Sequence, residues 1–379
     1  MPTLLGWSAL LPWGVLPWGL LPWGLVAAAC VLDRLLGDPR RCPHPVEVMG
    51  WGITVMRGWA EAWAGDRPRP LRLAGVAITA IVVGASGLAG WSLERLAFQW
   101  PPLGLPLLVA GLASALAGRS LEQAVQGVLA KLAAPELGAA GACAERPGEA
   151  ALEAARERLS WIVGRDVAQL DHEDILRAAA ETASENAVDG LFAPLFWMLV
   201  GAGLWSLQGE AAAAFWPGPL SLAWGFKAAS TLDSMLGYRL GRLRWLGTAG
   251  ARLDDMLTWL PCRLTALTLP LLAGWGVGSH QGGRPGQGPW RQFQRALREG
   301  APDPSPNAGV SQAAFALAAG VRMGGVNRYG GELRSKPVLA ASAPKPDLSG
   351  VERILKLSLT LEITWLLASL PLLVLLSAQ

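Results

Sequence analysis

Long uncharged runs alternate with polar blocks along this chain. Several of these runs reach about 20 residues, the length that an α-helix needs to cross the hydrocarbon core of a bilayer. Strands of a membrane barrel would instead alternate apolar and polar side chains. The pattern predicts an all-α, polytopic integral membrane protein with about 4–6 membrane-embedded helices. The uncharged runs are residues 1–32, 73–93, 96–117, 190–209, 211–226, 264–283 and 363–379.

Composition agrees with a membrane protein and excludes several other classes. Hydrophobic residues make up 52% of the 379 residues and charged residues 16%, and the mean hydropathy is +0.33, which is too apolar for an ordinary soluble enzyme. The net charge of +3 is small, and the basic residues are dispersed, so nucleic acid is not an expected partner. The four cysteines form no CxxC pair and the three histidines no HExxH motif, which leaves zinc sites and disulfide frameworks unsupported.

The polar residues fall into four blocks, 33–72, 118–189, 227–263 and 284–362. Block 284–362 holds eleven lysines and arginines, and the other blocks are also rich in arginine. By the positive-inside tendency, we expect the blocks to be cytoplasmic loops of a multi-pass protein in the cell (inner or plasma) membrane. Helical loops on that side would form the functional site.

We divide the chain into an N-terminal membrane anchor at 1–32, a core at 33–335, and a linker with a C-terminal transmembrane helix at 336–379. No strand signal is strong. Four smaller expectations concern single segments: amphipathic helices at 118–160, a poor full span at 211–226, a re-entrant or buried hairpin at 264–283, which contains Pro270, and connectors at 284–304 and 340–350.

Three carboxylates recur every four residues just before an uncharged run of 20 positions. Glu181, Glu185 and Asp189, together with Asn186, could share one polar face of a helix. A stripe of like charges beside apolar surface is unfavourable unless something neutralises it. We therefore expect either a divalent cation or a basic partner at this stripe, although a solvated, acid-capped helical turn is the ordinary explanation for such a triplet.

Other polar residues that could take part in binding or catalysis lie in all four blocks. Arginines before the acidic stripe suit phosphate or carboxylate, the rigid loop at 33–46 could line a site, and a Ser/Asn turn at the start of a helix could bind an anion. The alternative explanations are surface ion pairs for the arginines, an ordinary helix end for the loop and plain N-capping for the turn. Asp254 and the adjacent Asp255 cannot both face one ligand. The candidates are Arg158, Arg165, Asp33, Asp38, His44, Lys227, Asp233, Asp254, Arg263, Ser305, Asn307 and Tyr329.

Taken together, six ordered groups of motifs resemble the CobD/CbiB family, the membrane-bound adenosylcobinamide-phosphate synthases of cobalamin biosynthesis. The resemblance covers roughly residues 30 to 335. Phe226, Ser230 and Thr258 depart from the tyrosine and the two asparagines that are usual in the family. The matching pieces are DRLLGDP with HPV at 33–46, RLSWIVGRD at 158–166, ETASENAVDGLFAPLFW at 181–197, FKAASTLDSMLGY at 226–238, ARLDDM with LPCRLTAL at 251–267, and SPNAG with GGVNRYGG at 305–331.

The resemblance implies a ligase that forms a C–N amide bond. The propionate carboxylate of adenosylcobyric acid would join the amine of (R)-1-amino-2-propanol phosphate, or of aminopropanol itself. ATP is expected to drive the reaction through an acyl phosphate, with Mg²⁺, although the chain contains no GxxxxGK[ST] or GxGxxG loop. The expected partners are these ligands and the lipid bilayer. If the product is channelled, other membrane-bound enzymes of the cobalamin pathway would also be partners.

The same resemblance suggests residue roles. Glu181, Glu185 and Asp189, with Asp233 or Asp254 as a further ligand, would hold magnesium, and one acid would deprotonate the incoming ammonium. Lys227, Arg165 and Arg263 would neutralise phosphate. Ser305 and Asn307 would hold a phosphate or a corrin amide. The remaining substrate-binding candidates are Arg158, Asn186, Tyr329, Asp33, Asp38 and His44.

Two other function classes remain open at this point. A non-catalytic membrane sensor, like the AmpE-like proteins that distantly resemble this family, would not need the full set of acids. A small-solute transporter usually carries charges inside its spans near the bilayer midplane, whereas the uncharged runs here have charges only at their ends. This placement favours chemistry at the membrane surface.

Overall fold

The structure, a computed structural model, describes residues 20–38, 44–133, 148–213, 215–273 and 288–377. These segments are almost entirely helical. In chain order, the elements are α1 Leu20–Leu36, α2 Pro45–Ala64, α3 Pro68–Gln99, α4 Pro101–Ala113, α5 Gly118–Leu132, α6 Glu149–Ser160, α7 His172–Ala187, a π-helical turn Val188–Phe192, α8 Ala193–Ala213, α9 Pro219–Leu236, α10 Leu243–Leu246, α11 Thr248–Leu272, α12 Pro289–Gly300, α13 Ala308–Ala319, β1 Met323–Tyr329, β2 Glu332–Leu339 and α14 Leu348–Ser377.

The apolar runs form helices of membrane-spanning length. Within the described residues, three helical stretches are long and apolar enough to cross a bilayer, namely Pro68–Gln99, His172–Gln208 and Leu348–Leu376. A fourth is counted if α4 and α5 together form one broken span, which reaches the lower end of the range predicted from the sequence. The helical membrane architecture is thus confirmed, while most of the run 1–32 lies outside the described residues.

Prolines mark where many of these helices begin. Proline is tolerated at the first helical position because its missing N–H would have no intrahelical partner there. Inside α11, Pro261 and Pro270 do not end the helix, which continues to Leu272. The break predicted at Pro270 is therefore wrong, while the rest of the predicted 264–283 hairpin, from residue 274 onward, lies outside the described residues. Helices α2, α3, α4, α9 and α12 start at Pro45, Pro68, Pro101, Pro219 and Pro289.

The chain forms two compact units. The first comprises Met1–Ala117, Gly190–Leu257 and Thr364–Gln379, and the second comprises Gly118–Asp189 and Thr258–Ile363. These boundaries differ from the division at residues 32 and 335 that we proposed from the sequence. Contacts between segments remote in sequence define the units, and hydrophobic periodicity along the chain does not reveal such contacts.

In the first unit, α3 packs along α9 with very close backbone approach. A Cβ at Gly90 of α3 would lie 2.9 Å from the backbone carbon of Leu220, and one at Gly75 would lie 2.1 Å from the carbonyl oxygen of Leu246. Small residues permit such contacts between membrane helices. The apolar core beside them draws on α2, α3, α9 and α10, with Ile53, Leu71, Ile78, Val82, Leu232, Leu236 and Leu246 among its buried residues.

Glu94 of α3 is a buried carboxylate that caps the start of α9. It is 1% exposed and accepts hydrogen bonds from the backbone N–H groups of Gly218 at 3.0 Å, Leu220 at 2.7 Å and Ser221 at 3.0 Å. The first N–H groups of a helix have no partner within the helix. One carboxylate therefore satisfies three of these donors and fixes the helix that carries Lys227 and Asp233.

The second unit combines helices with a small sheet. Helix α5 packs against α6 and α7, and α12 packs against α13, where a Cβ at Gly300 would lie 2.5 Å from the backbone of Gly309. The amphipathic helices predicted at 118–160 are confirmed by α5 and α6, and the connector expected at 284–304 is wrong over α12, whose Ala296 and Gly300 are buried.

Strands β1 and β2 form an antiparallel hairpin that the sequence analysis missed. Its tip contains Gly330 and Gly331, both with positive φ, the backbone region that a tight two-residue hairpin turn requires. The carboxylate of Asp166 accepts the N–H groups of both glycines, at 3.2 and 2.8 Å. The hairpin is thereby tied to the loop before α7, and residues 336–339 belong to a strand rather than to a linker.

Glu94→Ala should destabilise the protein, because three buried N–H groups would lose their acceptor and each such loss costs roughly 1–3 kcal/mol. Glu94→Gln, which keeps one acceptor oxygen, should have a smaller effect. Thermal unfolding of detergent-solubilised protein, followed by circular dichroism, measures this ranking. Glu47→Ala, at an exposed position of α2, is the control, and an unfolding midpoint of Glu94→Ala equal to that of the control would contradict the capping role.

Candidate functional site

A buried ion pair between Arg165 and Glu181 lies at the centre of the polar residues of the second unit. Their side chains are 7% and 2% exposed. Arg165 also donates to the Oδ1 atom of Asn327 at 2.6 Å, and the other oxygen of Glu181 accepts the backbone N–H of Gly324 at 2.8 Å. The pair thus joins the loop before α7, α7 itself and β1.

Arg177 is a second cation on the same carboxylate, and the sequence analysis did not single it out. It lies one helical turn before Glu181, at 3.5 Å, and it donates to Asn327 Oδ1 at 2.9 Å and to Asp174 at 2.8 Å. Residues four apart on a helix are neighbours, so the spacing to Glu181 was a signal that could have identified it. Two arginines neutralise Glu181.

The other members of the acidic stripe interact with different groups. Glu185 accepts from Gln312 of α13 at 2.7 Å, and Asn186 is exposed. Burial raises the pKa of the Cys262 thiol to about 12, and the nearby charge of Asp189 adds to the rise. Among the described residues no group of three or more His, Cys, Asp or Glu side chains is placed to hold a metal ion. The structure therefore does not bring Glu181, Glu185 and Asp189 together as one such group, and their role in magnesium binding stays a prediction.

Arg263 and the turn at the start of α13 come together in the second unit. Arg263 donates to the side-chain oxygen of Asn307 and to the carbonyl oxygen of Pro306, the latter at 2.8 Å. The hydroxyl of Ser305 accepts the backbone N–H groups of Asn307 and Ala308 at 3.3 and 3.2 Å. In this structure Ser305 therefore accepts N–H groups at the start of the helix, and Arg263 of α11 binds the same turn.

Lys336 is a further cation of the second unit that sequence reasoning missed, since its segment was assigned to a linker. It lies 3.7 Å from Asp303. Burial opposes its charge, but Glu185 and Asp303 outweigh burial and raise its pKa. The hairpin brings this lysine to the end of the acidic stripe, where it balances Glu185.

Two predicted residues of the second unit have aromatic contacts with nearby arginines. The guanidinium of Arg158 lies 4.8 Å from the ring centre of Trp161, three residues on, and its side chain is exposed. The guanidinium of Arg334 lies 5.6 Å from the ring centre of Tyr329, across the hairpin. Neither contact connects Arg158 or Tyr329 to the ion pair of Arg165 and Glu181.

In the first unit, Asp254 of α11 is a carboxylate with an unsatisfied oxygen. Its Oδ1 atom is buried and, within the described residues, accepts no hydrogen bond. Burial raises the pKa of Asp254 to about 7, with further contributions from the charges of Asp233 and Asp255, while Lys227 opposes the rise. Lys227, Asp233 and Asp254 are thus close enough to interact, and such a perturbed carboxylate is typical of functional sites.

The loop residues of the first unit have structural partners. His44 accepts the N–H of Val46 at 3.3 Å with its Nδ1 atom and thereby caps α2. Its other ring nitrogen lies 3.3 Å from Asp38. Asp33, at the end of α1, is 2% exposed. These contacts agree equally well with a structural role for this loop and with a role in ligand binding.

Comparison with known proteins identifies the family. Residues 26–358 match the family model described as CobD/Cbib protein. The chain belongs to the CobD/CbiB family. It is 38% identical over 315 residues to a cobalamin biosynthesis protein CobD of Synechocystis sp., covering 83% of this chain and 81% of the relative. No solved structure matches the chain.

Relatives from enteric bacteria carry the other family name. A cobalamin biosynthesis protein CbiB of Salmonella arizonae is 35% identical over 331 residues, which cover 87% of this chain and 90% of the relative. One from Salmonella typhimurium is 34% identical over 354 residues, 93% of this chain and 95% of the relative. These CobD/CbiB relatives support a role for the chain in cobalamin biosynthesis.

Glu181→Gln should strongly destabilise this CobD/CbiB protein, because it leaves two buried arginines without their shared counter-charge. Removing one partner of a buried ion pair costs about 3–5 kcal/mol, whereas an exposed pair contributes about 0–1 kcal/mol. Glu332→Gln is the matched control, since Glu332 pairs with Arg334 in an exposed contact at 3.5 Å. Denaturant unfolding in detergent compares the two variants, and equal losses of stability would show that the Glu181 network is unimportant for folding.

Proposed function

We propose that this CobD/CbiB family member is a membrane-bound ligase of cobalamin biosynthesis. It joins the propionate carboxylate of adenosylcobyric acid to the amine of aminopropanol phosphate, or of aminopropanol, and forms adenosylcobinamide phosphate or adenosylcobinamide. The observation that carries the proposal is the buried, unsatisfied oxygen of Asp254 beside the charges of Lys227 and Asp233, in a chain whose relatives are named cobalamin biosynthesis proteins.

The chemistry requires an energy source, because a carboxylate and an ammonium ion do not condense in water. ATP is the proposed source. A carboxylate oxygen attacks the γ-phosphorus, the bond to the bridging oxygen breaks, and ADP leaves with the electron pair. The amine nitrogen then attacks the acyl carbon, the C–O bond breaks, and inorganic phosphate leaves. A carboxylate base takes the proton lost from nitrogen.

Lys227 belongs to the same unit as Asp254. It is the cation proposed to neutralise phosphate charge that shifts during transfer. We reassign Arg165, because it already binds Glu181 and Asn327. Its role is to fix α7 against β1 in the second unit.

Magnesium is the proposed metal, and Asp233 and Asp254 are the residues that would hold it. Mg²⁺ usually keeps several waters and binds through one or two carboxylates together with substrate phosphates. The orphaned oxygen of Asp254 and the neighbouring charge of Asp233 are what such an ion would satisfy. When bound, it would neutralise the phosphate oxygens. The proposed location is the cell membrane, with the polar blocks in the cytoplasm.

Asp254→Asn should reduce amide formation by about 100-fold or more, because the reaction would lose a carboxylate at its phosphate-handling centre. Product is measured by mass spectrometry after purified, detergent-solubilised protein receives adenosylcobyric acid, aminopropanol phosphate, ATP and magnesium. Asp66→Asn is the control at an exposed aspartate that pairs with Arg242, and it should match wild type. If Asp254→Asn forms as much product as wild type, Asp254 takes no part in the mechanism. If folded wild-type protein forms no product, the result favours the alternative of a non-catalytic membrane sensor.

Chelation of divalent cations should abolish amide formation, and added magnesium should restore it. Since Asp254 is proposed to hold the ion, a neutral side chain at this position should raise the magnesium concentration for half-maximal rate by about tenfold or more. Magnesium titration of residual activity in Asp254→Asn, against Asp66→Asn, measures this shift. An unchanged midpoint would place the metal elsewhere.

A further inference from the structure

A cavity of about 430 Å³ opens in the second unit between the start of α7 and the hairpin. Its lining includes Asp174 and Arg177 of α7 together with Arg322 and Val326. Ligand pockets for small molecules have volumes of roughly 300–1,000 Å³. The cavity is at the small end of this range, which suits a short-chain metabolite and not a corrin ring with its amide side chains.

Most charged groups of the cavity wall are already paired within the unit. Arg177 binds Asp174 and Glu181, and Lys345 forms an ion pair with Glu173. Arg322 differs from them. Its backbone N–H donates to the carbonyl oxygen of Pro344 at 2.7 Å, but within the ranges that the structure describes its guanidinium has neither a hydrogen bond nor an ion pair. The guanidinium of Arg322 is therefore available to bind an anion.

Two glycines beside Arg322 have different roles. Gly324 and Gly325 have φ values of +82° and +101°, which L side chains rarely adopt. A Cβ at Gly324 would lie 1.9 Å from the carbonyl oxygen of Pro337, so this glycine permits the close approach of the two strands. A Cβ at Gly325 would meet only the guanidinium of Arg177, at 4.0 Å, so glycine at this position leaves the space next to that cation open to a ligand.

We propose that this cavity binds the phosphate group of the amine co-substrate and that Arg322 recognises it. This inference rests on the proposed function. Phosphorylated aminopropanol is a short zwitterion, and the planar guanidinium of arginine matches two phosphate oxygens at once. Asp174 and Glu173, which also line the cavity, have the charge that suits the ammonium end. Arg322 thereby makes the protein select the phosphorylated amine over free aminopropanol, which carries no anion.

Steady-state kinetics of the purified full-length protein with each amine tests the proposal. Arg322→Gln should raise the KM for aminopropanol phosphate by about tenfold or more, leave the KM values for ATP and adenosylcobyric acid unchanged, and leave the rate with free aminopropanol as in wild type. Arg322→Lys, which keeps the charge without the fork of donors, should lie between. Arg328→Gln is the matched control on β1, because Arg328 is exposed and its guanidinium binds Gln169 at 2.8 Å.

Calorimetric titration of aminopropanol phosphate into the protein without ATP or corrin gives a readout independent of catalysis. The affinity should fall in Arg322→Gln by the same factor as the KM rises, and inorganic phosphate should compete. A KM change confined to ATP, an equal effect on both amines, or unchanged affinity in the titration would overturn the proposal. If wild type forms no amide with either amine, the proposed function fails, while the titration still decides whether the cavity binds the phosphate.

Discussion

The buried carboxylate of Glu181 is the constraint on which the second unit depends. Transfer of a carboxylate from water into a protein interior costs several kcal/mol unless partners satisfy it. Arg165, Arg177 and the N–H of Gly324 supply those partners. Arg165 comes from the loop before α7 and Arg177 from α7 itself, whereas Gly324 comes from a strand that is distant in sequence. The ion pairs therefore determine where the hairpin lies against α7, and with it the cavity and the position of Lys336.

Buried carboxylates in this protein fall into two kinds, and the difference separates structure from chemistry. Glu181 and Glu94 are surrounded by donors, from guanidinium groups in one case and from the start of a helix in the other. Both hold the fold. Asp254 has an oxygen that is buried and unsatisfied within the described residues, beside other acids that raise its pKa. An arrangement that is unfavourable by itself becomes favourable when a cation or a proton arrives.

The acidic stripe has basic partners, one of the two kinds of compensation that its spacing led us to expect. Repulsion among Glu181, Glu185 and Asp189 does require compensation. Each acid finds it differently, since arginines neutralise Glu181, Gln312 and Lys336 balance Glu185, and Asp189 lies near Cys262. In our proposal, phosphate is therefore handled by Asp254 and Lys227 of the first unit and not by the stripe.

The sequence by itself determined the helical membrane architecture, because uncharged runs and N-terminal prolines act through local geometry and hydrophobic transfer. Motifs in the sequence also resembled those of the CobD/CbiB family. Local spacing does place Arg177 beside Glu181. The sequence did not determine the partners that lie more than 100 residues away, such as Asn327 for Arg165. Gly330 and Gly331 did signal a hairpin turn, but the flanking strands lack clear alternation, and only tertiary packing decided that Arg322 and Lys336 reach α7.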